Sequence, residues 1–221
     1  MRILAIADLP ERLLYDTFEL DDWCGRVDLV LSCGDLDREY LEFLVTELAV
    51  PLLYVPGNHD LAYRRHPPEG CENIDERLLM IGGLHIAGVG GSLNYNAGSD
   101  SYQYTEQQMA WRLRRLGWRV RRAGGVDIVV SHAAPLHGDP TLDATDRPHR
   151  GSADFSRFIG NHHPRFWLHG HNHLYDSRLP RISQIADTVV INAYGHYMLD
   201  TDAPPPLVPL TAVPSTLLRP S

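Results

Sequence analysis

Apolar residues fall in short runs of strand length, and stretches with a helical pattern separate the first of these runs. Three runs, in "RILAIAD", "VDLVLSCGD" and "PLLYVPGNHD", occur within the first 60 residues. Between the second and third, "REYLEFLVTELA" places Leu41, Leu44, Val45 and Leu48 on one helical face. After the first run, Pro10 stands near a predicted helix start. This alternation predicts βαβ units with a parallel sheet. The runs are apolar throughout, as in strands that are covered on both faces.

The middle and the end of the chain predict hairpins and one long helix. "RLLMIGGLHIAGVGGS" indicates two strands that turn at residues 82–83, and "SQIADTVVINAY" indicates a second pair that turns at 187–188. "TEQQMAWRLRRLG" is typical of a helix that begins with a capping box of Thr105 and Gln108 and ends at Gly117. Two further apolar runs, in "VDIVVSHAAP" and "RFWLHGHNH", end on polar residues.

The length of 221 residues predicts one sizeable domain, which we assign to residues 1–200. Residues 201–221 are Pro-rich and aperiodic, and we predict that they form a C-terminal tail. The hydrophobic fraction of 43% is ordinary for a globular protein with its own core. No apolar run is long enough to span a bilayer, and no signal-peptide pattern follows Met1, so we expect a cytoplasmic location.

Charge and residue usage exclude several classes of function. The formal net charge of −8 disfavours nonspecific binding to nucleic acid or to an anionic membrane. Every basic residue is Arg, and the absence of Lys rules out a Schiff-base lysine and a P-loop lysine. The three cysteines fit no zinc or redox motif, and their odd number argues against a disulfide framework.

Polar side chains that can bind a metal stand at the end of five apolar runs. These residues are Asp8, Asp35, the trio Asn58, His59 and Asp60, then His132, and finally His171 and His173. Because α/β sheets form their binding crevices at the carboxyl ends of strands, we predict that these residues converge. A mixed set of carboxylate, amide and imidazole donors suits borderline divalent ions such as Mn, Fe, Zn or Ni. The set has enough donors for two ions with one carboxylate between them.

Each of these residues also has an ordinary structural explanation. Asp8 and Asp35 could cap the helices that follow them, and Asn58 could occupy a turn after Gly57. A lone histidine such as His132 is more often a core residue than a ligand. The two histidines of "GHNH" are harder to explain in this way. The prediction of a metal site therefore depends on the joint pattern of five strand ends in order.

Four segments of the chain resemble a known family. "GDLDR", "GNHD", "SHAAP" and "GHNH", in this order and at this spacing, resemble the calcineurin-like metallophosphoesterase superfamily, and most closely its small Icc-related predicted phosphoesterases. The resemblance covers about residues 1–200 and implies an α/β (mixed α+β) fold, a four-layer αββα sandwich of two mixed sheets flanked by helices. It implies a hydrolase of small phosphoesters, nucleotides among them, with diesters preferred to monoesters. It implies no membrane partner, and the sequence gives no strong sign of nucleic-acid binding.

The resemblance also implies a role for each site residue. It implies two divalent cations, for which Mn is the first choice and Fe, Zn and Ni are alternatives. The residues that would hold them are Asp8, Asp35, Asn58, His132, His171 and His173. Asp35 would bridge the two ions, Asp8 and His173 would complete the first site, and the other three residues would complete the second. A hydroxide between the metals would attack phosphorus while His59 either protonates the leaving group or steadies the transferring phosphoryl group, and Asp60 would help to orient the His59 loop.

The first motif departs from the family pattern. The family has Asp-x-His where this chain has Asp8, Leu9 and Pro10, and proline offers no ligand atom. We expect that water or Glu11 takes this position, or that the first metal site is weak.

Two arginine-containing regions have less specific interpretations. Arg64, Arg65, His149 and Arg150 lie in predicted loops that either reach a substrate phosphate or are ordinary surface. We interpret "WRLRRLGWRVRR" as a solvated helix face in preference to a nucleic-acid contact. Two rival functions stay open: a metal-poor pseudoenzyme that binds a nucleotide or a protein, which Pro10 favours, and a nuclease, which the arginine run would favour.

Overall fold

Two mixed β-sheets pack face to face at the centre of the molecule. The computed structural model describes residues 1–15, 23, 25–95, 102–139, 142–144, 146–175 and 180–203. Cys24 and the tail from residue 204 onward lie outside these ranges. Among the described residues, no helix combines the length and the apolar character that crossing a membrane requires.

The sheets contain five and six strands. The first sheet has the order β13 (Gly195–Asp200), β1 (Arg2–Ala7), β2 (Leu29–Ser32), β3 (Leu52–Tyr54) and β4 (Glu72–Asn73). The second has the order β11 (Ile182–Ile185), β12 (Thr188–Asn192), β10 (Phe166–His169), β9 (Ile128–Ser131), β6 (Leu84–Val89) and β5 (Leu78–Ile81). A separate short pair consists of β7 (Ser92–Leu93) and β8 (Gln103–Tyr104). The central strands of both sheets are parallel, and β13, β11 and β5 pair antiparallel with their neighbours.

Helices cover the outer faces of both sheets. In the described part of the chain these are α1 (Arg38–Leu48), α2 (Glu106–Ala123) and α3 (Ala153–His162). α1 packs on the first sheet, and α2 and α3 pack on the second. Along β1, Ile3, Ala5 and Ala7 lie in the core between the sheets, whereas Leu4 and Ile6 face α1. The strand is apolar throughout because both of its faces are covered, and the predicted four-layer αββα sandwich is confirmed.

One predicted hairpin is confirmed and the other is shifted by one residue. β5 and β6 pair antiparallel across residues 82–83, with Ile81 opposite Leu84. The second turn lies at 186–187, because Thr188 is already the first residue of β12. Thr188 is buried and its hydroxyl donates to the Pro164 carbonyl at 2.6 Å, which fixes it in the strand. The helical pattern after Pro10 yields one described 3₁₀ turn, Arg12–Leu14, and then passes into residues 16–22, outside the described ranges.

The long helix α2 begins as predicted and ends later than predicted. Thr105 and Gln108 form the capping box. The prediction that Gly117 ends the helix is wrong, since α2 continues to Ala123 and Gly124 takes the left-handed conformation, with φ of 88°. Gly117 instead allows α3 to approach, because a Cβ there would lie 2.7 Å from Nε2 of His162.

The arginine run on α2 is only partly a solvated face. Arg112 is 5% exposed, and its guanidinium binds both carboxylate oxygens of Asp75 (2.5 and 2.7 Å) and one of Glu76 (2.8 Å). Arg115 also binds Glu76. The interpretation as solvated surface is therefore wrong for Arg112, which ties α2 to the segment before β5.

Candidate metal centre

The carboxyl ends of both sheets meet at one edge of the sandwich. Asp8, Asp35 and Asn58 follow β1, β2 and β3 of the first sheet, whereas His132 and His171 follow β9 and β10 of the second. Because the two sheets lie face to face, residues that are far apart in the sequence come into contact. The backbone N–H of His171 donates to Asp8, for example, although the two residues are 163 positions apart. The predicted convergence of strand ends is seen in the structure.

His132 is the buried centre of this group. Its side chain is fully buried, and its Nδ1 lies 2.8 Å from the Cys33 carbonyl, to which it donates. Its Nε2 lies 3.2 Å from Oδ2 of Asp35 and 3.0 Å from Oδ1 of Asn58. Three electron-pair donors therefore face one another in a site shielded from water.

The facing atoms of Asp35, Asn58 and His132 all carry electron pairs, so a proton or a cation between them is needed to balance their repulsion. Although burial favours the neutral ring, the Asp35 carboxylate raises the pKa of His132 to about 9. Without a metal, the ring nitrogen that faces Asp35 thus carries a proton at neutral pH. A divalent ion would displace this proton and satisfy all three donors at once. The donor set fits a borderline divalent cation.

His171 completes this donor set. Asp35, His132 and His171 each offer a ligand atom within 4.8 Å of the other two. Nε2 of His171 donates to the Pro148 carbonyl at 2.8 Å, which leaves Nδ1 with a free electron pair. Burial, assisted by the neighbouring His132, lowers the pKa of His171 to about 3, so the ring is neutral and able to bind a metal.

Asp8 and His173 form a second, sparser group. The Asp8 carboxylate accepts the backbone N–H of His171 at 2.9 Å, and Nε2 of His173 lies 3.7 Å from Asp8. The His173 Nδ1 lies 2.5 Å from the Tyr175 hydroxyl. Oε1 of Glu11, a proposed substitute ligand, faces Nδ1 of His196 at 3.3 Å. This group offers fewer donors than the one around His132.

The backbone around the centre is strained. Asp8, Asp35 and His171 all adopt left-handed φ angles, 63°, 55° and 65° respectively. Non-glycine residues rarely adopt this conformation, and such strain is concentrated at functional sites. Two glycines let the loops approach closely. A Cβ on Gly57 would lie 2.0 Å from Oδ1 of Asp35, and one on Gly170 would lie 2.5 Å from Oδ2 of Asp8.

Asp60 and His59 occupy different environments. Asp60 is 6% exposed, and one of its oxygens accepts the N–H groups of Gly57 (2.7 Å) and Asp35 (2.8 Å). Burial and the charge of Asp35 raise the pKa of Asp60 to about 7. The His59 side chain is 75% exposed, with Nε2 4.0 Å from Oδ2 of Asp35. Asp60 therefore holds two loops together, while His59 is accessible to a substrate.

The four proposed substrate-binding residues lie in different places. His149 adjoins the centre, with its ring 4.9 Å from that of His171. Arg64 stacks on Tyr102, Arg65 is exposed at the end of the 3₁₀ turn Leu61–Arg64, and Arg150 binds Glu106 at the start of α2.

Several supporting groups were not identified from the sequence. The Tyr95 hydroxyl lies 3.2 Å from Nδ2 of Asn58, and the Tyr175 hydroxyl binds His173. The carbonyls of Cys33 and Pro148 orient the two buried histidines. These groups lie at strand ends or in loops, where no periodic pattern marks them, so only the fold reveals their role.

Solved structures with the same architecture exist. One crystal structure matches with a TM-score of 0.65 and 18% identity, over 90% of this chain and 94% of its own. The protein TT1561 of Thermus thermophilus matches with a TM-score of 0.64 and 17% identity, over 90% and 93%. At these identities the likeness establishes the fold alone. A structure described as a novel archaeal phosphodiesterase has a TM-score of 0.45 and 14% identity, over 91% of this chain and 94% of its own.

The sequence itself identifies the family. A comparison with curated proteins gives no significant match. The model of the calcineurin-like phosphoesterases, however, matches residues 1–175, which include every strand end of the candidate centre. The αββα sandwich and a group of side chains that could hold a metal ion agree with this match. The chain therefore belongs to the calcineurin-like phosphoesterase family, whose members are metal-dependent hydrolases of phosphoesters.

Proposed function

We propose that this phosphoesterase hydrolyses phosphodiesters with two divalent cations, Mn²⁺ in the first instance. Asp35 would contact both ions, Asp8 and His173 would hold the first, and the second would be held by the remaining ligands, Asn58, His132 and His171. The observation that carries the proposal is the contact of His132 with both Asp35 and Asn58 in a buried site. The proposal assigns this chemistry to residues 1–200 and treats 201–221 as a tail.

The chain's own residues have separable tasks in this reaction. When bound, two divalent cations would supply Lewis acidity that activates water and neutralises charge on the phosphoryl group. His59, which is exposed and near Asp35, donates a proton to the departing alkoxide. Asp60 keeps His59 in place through its bonds to the two adjacent loops. The Cys33 and Pro148 carbonyls fix which nitrogen of each buried histidine is free to bind.

Hydrolysis of bis(p-nitrophenyl) phosphate and of p-nitrophenyl phosphate, each with and without Mn²⁺, tests the proposal. We expect metal-dependent turnover with the diester preferred. His59→Ala should lower kcat by about 10²–10⁴-fold, the usual contribution of a general acid, when the leaving group is an alkoxide, as in a dinucleoside monophosphate, and should matter less for p-nitrophenolate, which leaves without a proton. Asp35→Asn should lose both metal binding and turnover. His85→Ala is the matched control, because His85 lies at the amino end of β6, away from the centre.

Two results would contradict the proposal. If the wild type shows no metal-dependent turnover of either ester, the chain is a binding module rather than a hydrolase. If His59→Ala keeps the wild-type kcat on a diester with an alkoxide leaving group, the role of His59 as the acid is wrong.

A further inference from the structure

A cavity of about 200 Å³ borders the candidate centre beside His173. Hydrolysis of a phosphodiester releases one organic group and leaves the other bonded to the phosphate; we call the second one the retained group. We propose that the cavity holds the retained group, and that this group is an uncharged heterocycle with an N–H donor. The inference depends on the proposed function and deepens it, because it names the kind of diester that the site accepts.

Polar and apolar side chains share the lining of this cavity. Leu142 and Leu174 contribute apolar surface, while His137, Asn172 and Ser183 contribute polar atoms. His173 lies both in the lining and beside Asp8, so the cavity opens next to the first metal site. A group bound there would be within reach of a phosphate at the centre.

One buried polar atom of the lining lacks a partner. Within the described ranges, Oδ1 of Asn172 is buried and makes no hydrogen bond, whereas Nδ1 of His137 lies 3.4 Å from Oδ1 of Asp143. The other ring nitrogen of His137 is engaged with the Ser183 hydroxyl at 2.7 Å. Buried polar atoms without partners cost free energy, so the cavity is built for a ligand that supplies them. Because the Asn172 oxygen can only accept, that ligand carries a donor.

The charged groups of the lining are already engaged. Asp143 accepts the backbone N–H groups of residues 137 and 138, each at 2.7 Å. Arg181 donates to the His196 carbonyl at 2.5 Å. A ligand in the cavity therefore meets the unpaired neutral oxygen of Asn172 and apolar walls. These match a heterocyclic ring, which has apolar faces and an edge that carries hydrogen-bonding groups.

The size and position of the cavity assign it to the retained group. Pockets that enclose a whole small molecule measure about 300–1,000 Å³, so this one fits a single substituent. A separate depression, lined by Leu36, Arg38 and Tyr63, opens at His59 and shares no lining residue with the cavity.

A diester has two organic groups and a monoester has one. During hydrolysis, the oxygen of water bonds to phosphorus and the P–O bond on the His59 side breaks. That alkoxide leaves with a proton, and the ester bond on the His173 side stays intact.

Filling the cavity tests this assignment in the Mn²⁺-loaded enzyme. Ala144 lines the cavity, so Ala144→Trp fills it, whereas Ala123→Trp places the same side chain on the exposed end of α2 as a control. Ser183→Leu is a second filling variant, from a different wall. The substrates are thymidine 5′-(p-nitrophenyl phosphate), methyl p-nitrophenyl phosphate and p-nitrophenyl phosphate. Both filling variants should raise KM for the thymidine ester about tenfold or more, with kcat and the methyl ester changed less than about twofold.

The outcomes separate this inference from the proposed function. If the filled variants treat the thymidine and methyl esters alike, or match the control, the cavity does not hold the retained group. If N3-methylthymidine in the same ester leaves the wild-type KM unchanged, the N–H donor is refuted. If the wild type turns over no ester at all, the proposed function itself fails. Turnover of the methyl ester without preference for the thymidine ester refutes the cavity assignment alone.

Discussion

Replacing Gly57 by alanine tests whether the close approach of two loops builds the metal centre. The added Cβ would lie 2.0 Å from Oδ1 of Asp35 and 2.6 Å from its backbone nitrogen. Since real Cβ contacts are essentially never below 3.0 Å, Asp35 must withdraw by about 1 Å. The loops cannot simply separate, because one oxygen of Asp60 bonds to the N–H groups of both Gly57 and Asp35. The φ of Gly57 is one that alanine also adopts, so the effect is steric.

A displaced Asp35 should weaken metal binding and turnover together. We expect the Kd for Mn²⁺ to rise about 10–100-fold, as it does when the support of a metal ligand is lost. A misplacement of 1 Å costs on the order of 10²-fold in rate, so kcat/KM for bis(p-nitrophenyl) phosphate should fall by that factor. Calorimetric titration of the metal-depleted protein with MnCl₂ measures the first quantity, and initial rates at fixed Mn²⁺ measure the second.

The matched control for this substitution is Gly160→Ala. Gly160 lies in α3, has an ordinary φ, and a Cβ there would meet nothing within 4 Å. It should keep both metal affinity and turnover, and gain up to about 1 kcal/mol in the free energy of unfolding. If Gly57→Ala binds Mn²⁺ and turns over substrate as Gly160→Ala does, the contact between these loops does not position Asp35, and the reasoning is refuted.

Three further substitutions test other parts of the structure. Pro10→His should tighten the weaker Mn²⁺ site, as counted by metal analysis and titration; full two-ion occupancy of the purified wild type, unchanged in the variant, would contradict a weak first site. Arg112→Met removes the arginine that pairs with Asp75 and leaves Glu76 with Arg115 alone, so it should lower the free energy of unfolding in urea by about 3–5 kcal/mol; a loss below about 1 kcal/mol would mean that the pairs contribute little. Burial opposes ionisation of Glu76, but Arg112 holds its pKa below the usual 4.5, so the pairing stabilises the fold above that pH. The stability difference should therefore narrow as the pH falls through the lowered pKa of Glu76. Gly117→Ala should lower the melting temperature, since its Cβ would contact α3 at 2.7 Å, and an unchanged value would show that α3 adjusts without cost.

The sequence predicts which residues converge at the candidate centre better than it predicts the groups that support them. Asp8 and His132 each follow an apolar run, and both the run and its polar end are local features. The carbonyls that orient the histidines, and the tyrosine beside Asn58, come from positions whose relation depends on how the two sheets pack. No local pattern contains that information.

The errors on α2 have the same origin. Gly117 is a sound helix terminator by local rules, but it lies buried on the face of α2 that packs against α3, and the helix continues past it. From the sequence, Arg112 looks like solvated surface because its partners, Asp75 and Glu76, are 37 and 36 positions away. In both cases a tertiary contact decides what a local pattern leaves open.

The division of the candidate ligands between the two sheets means that the site is complete only when the whole fold has formed. Asp8, Asp35 and Asn58 leave the ribosome early, whereas His132, His171 and His173 follow much later in the chain. Within the described ranges, β13, which pairs with β1 and borders the first sheet, is the last strand to be synthesised. A nascent chain thus carries half of a ligand set and has no buried site to close around an ion. A cation held by these residues would therefore be selected by the completed fold and not by the growing chain.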